Sequence, residues 1–220
     1  MQADIFLDVA IHETSTGERV YRETKGQILS GAVRGGQLLS EVEVAAQLGV
    51  SRTPVHEAFL RLAAEDFLDL LPRRGAVVVP IGPREATDLL EMRVALESAA
   101  VRRLCRSSES LDALLAELSD LIAEQRDAVS DADRFATADD AFHRRIVDAA
   151  GNAIAQRFYG SLGDRQRRMM VDAARADSAR CGHLILDHGQ LADAVRRRDP
   201  QAFEAGLLTH LETTYRVVLG

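Results

Sequence analysis

Leu48-Gly49-Val50-Ser51-Arg52-Thr53-Pro54-Val55-His56-Glu57-Ala58 decides how the first third of this chain is read. Leu48-Gly49-Val50 breaks one helical pattern. Ser51 is a residue type that caps helices, and Pro54 is tolerated because it falls in the first turn of the next helix. The stretch predicts a tight turn and then a helix to about Ala64. Working outward, Ser40 with Glu43 three residues later predicts a capping box that opens the preceding helix. A first helix is expected from about Arg19 to Ser30, ended by Gly31. On the other side, Phe67 to Leu71 and Ala76 to Ile81 are short apolar runs separated by Pro72-Arg73-Arg74-Gly75, which predicts a two-stranded hairpin.

Beyond Gly82-Pro83 the pattern changes to long amphipathic helices, expected near 83–105, 109–129, 132–149, 153–172, 178–197 and 200–218. Gly151-Asn152 separates two of them, and Asp199-Pro200 supplies an N-cap followed by proline at the first helical position. The fold class is therefore mainly α. An N-terminal winged helix-turn-helix of three helices and a two-stranded wing occupies 1–82, and a C-terminal all-α antiparallel helix bundle occupies 83–220. A length of 220 residues suits two such domains.

Apolar residues make up 46% of the chain and charged residues 28%, ordinary globular usage rather than the signature of disorder. Asp4, Asp8 and Glu13 interrupt the first apolar stretch, so no signal peptide is expected, and no apolar run approaches a bilayer span. A soluble cytoplasmic protein with no membrane partner is the expectation. Cys105 and Cys181 form no ligand pattern and are expected as free thiols. The net charge of −7 works against nucleic-acid binding, and over residues 1–80 eight basic residues face eleven acidic ones. Any DNA contact must rest on locally clustered arginines.

A helix-turn-helix offers such a cluster, because the start of its second helix enters the major groove. There Arg52 suits a guanine or a phosphate, and Ser51 and Thr53 can donate to phosphate beside the free amides of the helix start. Arg73 and Arg74 at the wing tip suit the adjacent minor groove. The runs Leu38-Leu39-Ser40-Glu41-Val42-Glu43-Val44-Ala45, Leu48 to Val55, and Arg73-Arg74-Gly75-Ala76-Val77-Val78 resemble the GntR superfamily of regulators. That resemblance implies binding to double-stranded operator DNA through Ser51, Arg52, Thr53, His56, Arg73, Arg74 and Gly75. The family usually has arginine where this chain has Val42 and His56, so these two changes either weaken DNA binding or retarget it.

In the second domain, Asp139 and His143 lie four apart on one apolar helix face with Phe135 and Ile146. His188 and His210 are each eleven residues from Asp199, so an antiparallel helix hairpin would bring both imidazoles level. One carboxylate and three imidazoles inside a bundle make a divalent transition-metal site with open positions. Asp140 would point about a quarter turn away. Arg93, with Leu89 and Leu96 on its face, should also look inward, either to clamp a carboxylate or to pair with Glu97 or Asp139. His12 and His183 fit no constellation.

Asp139-Asp140-Ala141-Phe142-His143, Gly151-Asn152, Asp187-His188 and Thr209-His210-Leu211 resemble the FCD ligand-binding domain of the FadR subfamily. That resemblance implies a metal, zinc or nickel, on Asp139, His143, His188 and His210, and a small carboxylate metabolite as effector. The whole reads as a homodimeric regulator, a repressor rather than an enzyme. Two rivals stand beside it: a metal-dependent enzyme, which lacks a HExxH or GxSxG motif, and a metal-binding dimer module with a weakened DNA head.

Overall fold

The computed structural model describes residues 15–177 and 179–219, with side chains to residue 215. His12, Asp4, Asp8 and Glu13 lie outside the described residues. The chain divides into two compact units, one of described residues up to 26 with 36–79, the other of residues 27–35 with 80–220.

The elements of the N-terminal part are α1 (Thr16–Leu29), β1 (Leu38–Leu39), α2 (Glu41–Leu48), α3 (Arg52–Ala64), β2 (Leu68–Leu71) and β3 (Gly75–Val78). Gly49 takes a left-handed conformation at φ 65, which ends α2 and sets up the turn into α3. Val55, Phe59 and Leu62 project from one face of α3 and are fully buried with Val20 of α1 and Ala76 and Val78 of β3. The α3 face that carries Arg52 and His56 is left exposed.

Three local expectations are corrected. The wing has three strands in the order β1-β3-β2, not two, because Leu38 and Leu39 pair antiparallel with Val77 and Ala76. Two residues are too few to show the alternation that marks a strand. Ser40 stands at the N-cap of α2 with an extended backbone, yet its side chain makes no capping hydrogen bond, so the box with Glu43 does not form. Ser51 likewise caps α3 by position only. The first-turn amides of α3 are thus free of a side-chain cap and open to another acceptor.

The C-terminal unit holds α4 (Pro83–Arg106), α5 (Asp112–Asp127), α6 (Ala132–Ala149), α7 (Ala153–Ala176), α8 (Arg180–Arg196) and α9 (Pro200–Leu219). Proline occupies the start of α4, where its missing amide is no loss. Asp131 caps α6 through its side chain, and Asn152 does the same for α7. Asp199 accepts from the Ala202 amide at 3.0 Å at the start of α9. α6 packs on α7, α5 and α4; α8 packs on α9 and α5; α4 packs on α9. Phe135, Phe142, Ile146, Val195, Phe203 and Leu207 fill the middle with no exposed surface. Among the described residues no helix is long and apolar enough to cross a membrane.

Gly75 holds φ 106, and a Cβ there would run into the carbonyl oxygen of Leu39 on the neighbouring strand. Gly75→Ala should therefore destabilise the N-terminal unit by about 2 kcal/mol or more, through backbone strain and overlap together. Denaturant unfolding, followed by a probe in that unit, measures it.

Candidate metal centre and nucleic-acid interface

Three helices bring the four predicted metal ligands together. Asp139 and His143 project from the apolar face of α6, His188 from α8 and His210 from α9, and all four are buried. One donor atom from each lies within 4.8 Å of the others. The Nε2 atoms of His143 and His188 are 3.2 Å apart, and His188 Nε2 is 3.4 Å from an Asp139 oxygen. Donors about 2.1 Å from one shared ion would be separated by about 3.0 to 3.4 Å at right or tetrahedral angles.

The outward nitrogens fix which ring atom faces inward. His143 Nδ1 lies 2.7 Å from Glu97 Oε2, His188 Nδ1 lies 2.6 Å from Gln125 Oε1, and His210 Nδ1 lies 3.4 Å from Asp187 Oδ2. Gln125 is oriented by donating its amide to the Ala138 carbonyl at 3.3 Å, so its oxygen is the atom turned to His188. Nδ1–H donation to these oxygens leaves Nε2 as a lone pair on each ring. Burial holds both His143 and His188 well below the ordinary imidazole range, in the neutral form that binds metals. Two lone pairs 3.2 Å apart repel unless a cation lies between them.

Asp139 adds to this demand for positive charge. Its Oδ1 is buried without a hydrogen-bond partner. Burial pushes its carboxyl up to about 6, with Arg93 and His210 opposing. The donor set and its unsatisfied atoms fit a divalent transition metal. Phe142 stacks on His188 with ring centroids 4.5 Å apart, which closes one side of the cluster.

Arg93 pairs with Glu97 and keeps one donor unpartnered. Its Nε donates to Glu97 Oε1 at 3.1 Å and its Nη1 to the Tyr215 hydroxyl at 3.3 Å, while Nη2 is buried with no partner. Tyr159 donates to the same Glu97 oxygen at 2.9 Å. Burial pushes the Glu97 carboxyl up, countered by Arg93 and by the Tyr159 hydrogen bond. Asp140 turns away as expected and pairs with Arg144 at 3.2 Å. His183 is exposed and apart from the cluster.

In the N-terminal unit a cleft of about 560 Å³ is bounded by Glu41, Val42, Arg52, His56 and the wing residues Arg73, Arg74 and Gly75. Ser51 and Thr53 stand exposed at the start of α3, outside that lining. Glu41 divides its carboxylate between two of the expected DNA residues, Arg52 at 3.1 Å and His56 at 2.8 Å. The hydrogen bond from His56 is the main reason its carboxyl sits below the usual range. Arg73 occupies the wing turn at φ 64 with its side chain exposed, beside Arg74.

Residues 16–78 match the model for bacterial regulatory proteins of the gntR family, and residues 88–213 match the FCD domain. The chain belongs to the GntR family. This FCD-bearing regulator is 32% identical over 195 residues to the gluconate operon transcriptional repressor of Bacillus licheniformis, covering 86% of this chain and 79% of that one. It is 29% identical over 200 residues to the transcriptional repressor RspR of Escherichia coli, covering 89% and 85%. A putative GntR regulator from Rhodococcus sp. RHA1 superposes with a TM-score of 0.76 at 28% identity, covering 94% of this chain and 99% of that one. Escherichia coli McbR/YncC gives 0.73 at 25% identity, covering 93% and 97%. These relatives make the GntR-family chain a DNA-binding transcription regulator and not an enzyme.

Sequence reasoning does not single out Gln125, Tyr159 or Tyr215 as parts of this site, and Asp187 and Glu41 fall within the family motifs without either being given a role. Gln125 leaves a trace, since it continues the buried stripe Leu114, Leu118, Ile122 of α5 as its one polar member. Glu97 is visible only as a partner for Arg93, although it also orients His143. Glu97→Leu should cost this regulator about 3–5 kcal/mol, because it leaves the Arg93 charge buried and unpaired. Equilibrium unfolding of the apo protein checks it.

Proposed function

We propose that this GntR-family regulator is a homodimeric repressor. Its grip on a two-fold operator is released by a small organic acid bound at a divalent transition metal, zinc or nickel, in the FCD domain. The facing Nε2 atoms of His143 and His188, 3.2 Å apart with their Nδ1 atoms engaged, carry this reading. A bound ion supplies there a positive charge able to hold a carboxylate. Arg93 Nη2, buried and unpartnered, offers the second grip on the same anion. Residues 1–82 form the DNA-binding domain and 83–220 the effector and dimerisation domain, in line with the matched segments.

Repression is supported by the names of relatives, which include the gluconate operon transcriptional repressor and the transcriptional repressor RspR. Dimerisation follows from the small DNA surface that one head can bury and from the two-fold symmetry of operators such a pair reads. The head reads the major groove through Ser51, Arg52, Thr53 and His56 and the minor groove through Arg73 and Arg74, with Gly75 shaping the wing. A protein acting on bacterial operator DNA works in the cytoplasm. Effector binding shifts the balance between DNA-competent and released states only through a difference in its affinity for the two.

Elemental analysis of protein never exposed to a nickel column should find about one transition metal per chain, and far less in His188→Ala or His210→Ala. Full occupancy in both variants would remove the four-ligand site. Arg93→Met should keep the metal and lose effector-induced release from DNA in a carboxylate screen. Arg52→Ala should weaken operator binding at moderate salt by about tenfold, as expected for one lost guanine or phosphate contact. Gel-shift titration reads both DNA effects, and unchanged affinity in Arg52→Ala would overturn the assignment of α3 as the reading helix.

A further inference from the structure

The DNA-reading cleft contains one group whose hydrogen-bonding sense is fixed by its neighbour. Glu41 lies at the first position of α2, and its two carboxylate oxygens reach across to α3, one to Arg52 Nη2 and the other to His56 Nδ1. Both partners are exposed on α3, one turn apart, and both line the cleft. A carboxylate only accepts hydrogen bonds, so the imidazole must carry its proton on Nδ1. In the neutral ring this leaves Nε2 as an acceptor. Arg52 has only donors, and most of them remain for DNA after one is given to Glu41. Val42, beside Glu41 in the lining, brings neither donor nor acceptor.

We infer that His56 reads a base by accepting a hydrogen bond from an exocyclic amine, so that it recognises adenine N6 or cytosine N4 in each half-site, with Glu41 as its positioning residue. In the major groove these two amines are the donors that bases present, whereas guanine offers acceptors at O6 and N7 and thymine an acceptor at O4. A side chain at this position that could only donate would recognise guanine or thymine. The tautomer imposed by Glu41 reverses that choice. Holding both side chains before DNA arrives also lowers the ordering cost of binding. Such base reading rests on the operator binding proposed for the head and specifies one part of it.

The test begins with an operator selected by the full-length wild-type protein from random duplexes at pH 8. Each adenine of one half-site is then replaced by purine, and each cytosine by pyrimidin-2-one, which removes the exocyclic amine alone. One replacement should weaken wild type about tenfold, leave His56→Ala unaffected, and have less than about a threefold effect on Glu41→Ala, whose imidazole is no longer held in one tautomer. His56→Ala losing the same factor on every duplex would mark a phosphate contact and overturn the inference. So would an amine effect abolished by Glu41→Ala and retained by His56→Ala, which would make the carboxylate itself the reader. Selection of no duplex at all would overturn the operator-binding reading first, and that failure is recognisable because Arg52→Ala would then have no affinity to lose.

Discussion

Glu97 is the group on which the C-terminal domain depends. Its carboxylate, with no exposed surface, receives Arg93, Tyr159 and His143. A lone carboxylate could not be buried so deeply, since desolvation far exceeds what one neutral hydrogen bond returns. Three donors make it tolerable, and each donor is itself aimed by the contact. Arg93 is held with one nitrogen free, His143 is turned so that Nε2 faces His188, and α4, α6 and α7 are tied at one point. The geometry of the ligand cluster is thus inherited from a residue outside it.

The same domain leaves some polar atoms unsatisfied. Arg93 Nη2 and Asp139 Oδ1 are both buried with no partner. Each such atom costs about 1–3 kcal/mol when its hydration is lost without replacement. Four more buried side-chain atoms in the same bundle lack a partner, Ser98 Oγ, Asp140 Oδ1, Gln166 Nε2 and Arg167 Nε, so what sets Arg93 and Asp139 apart is their opposite charge at the ligand cluster rather than burial alone. In the function proposed above, these two atoms are the ones that a bound cation and an anionic effector would satisfy. Phe135, Phe142 and Phe203 are fully buried in the same bundle core.

Much of this fold is legible in the residues alone. The helix periodicity places six long helices, and the equal spacing of His188 and His210 from Asp199 brings two imidazoles together, with ring centroids 4.7 Å apart. Periodicity reports which face of a helix is apolar. It does not report which distant helix supplies a partner. Glu97 and His143 are 46 residues apart and Gln125 and His188 are 63 apart, so their pairings leave no local pattern. The capping serines fail for a related reason: residue type makes a cap possible, and the φ, ψ and rotamer of the built chain decide whether it forms. β1 is invisible because two residues have no period.

β1 also carries a consequence for how DNA is read. Leu39 is paired in register with the wing strand β3, and Glu41, which holds Arg52 and His56, comes only two residues later. Wing tip and recognition helix are therefore joined by a short, stiff span rather than by a free hairpin. If helix and wing enter adjacent grooves as proposed, the distance between the two contacts would be set by that span. Sequences whose twist or groove width deviates from that distance must be deformed to fit, at an energy that depends on base steps no side chain touches. On the DNA reading proposed above, the third strand would make the head sensitive to duplex shape as well as to bases.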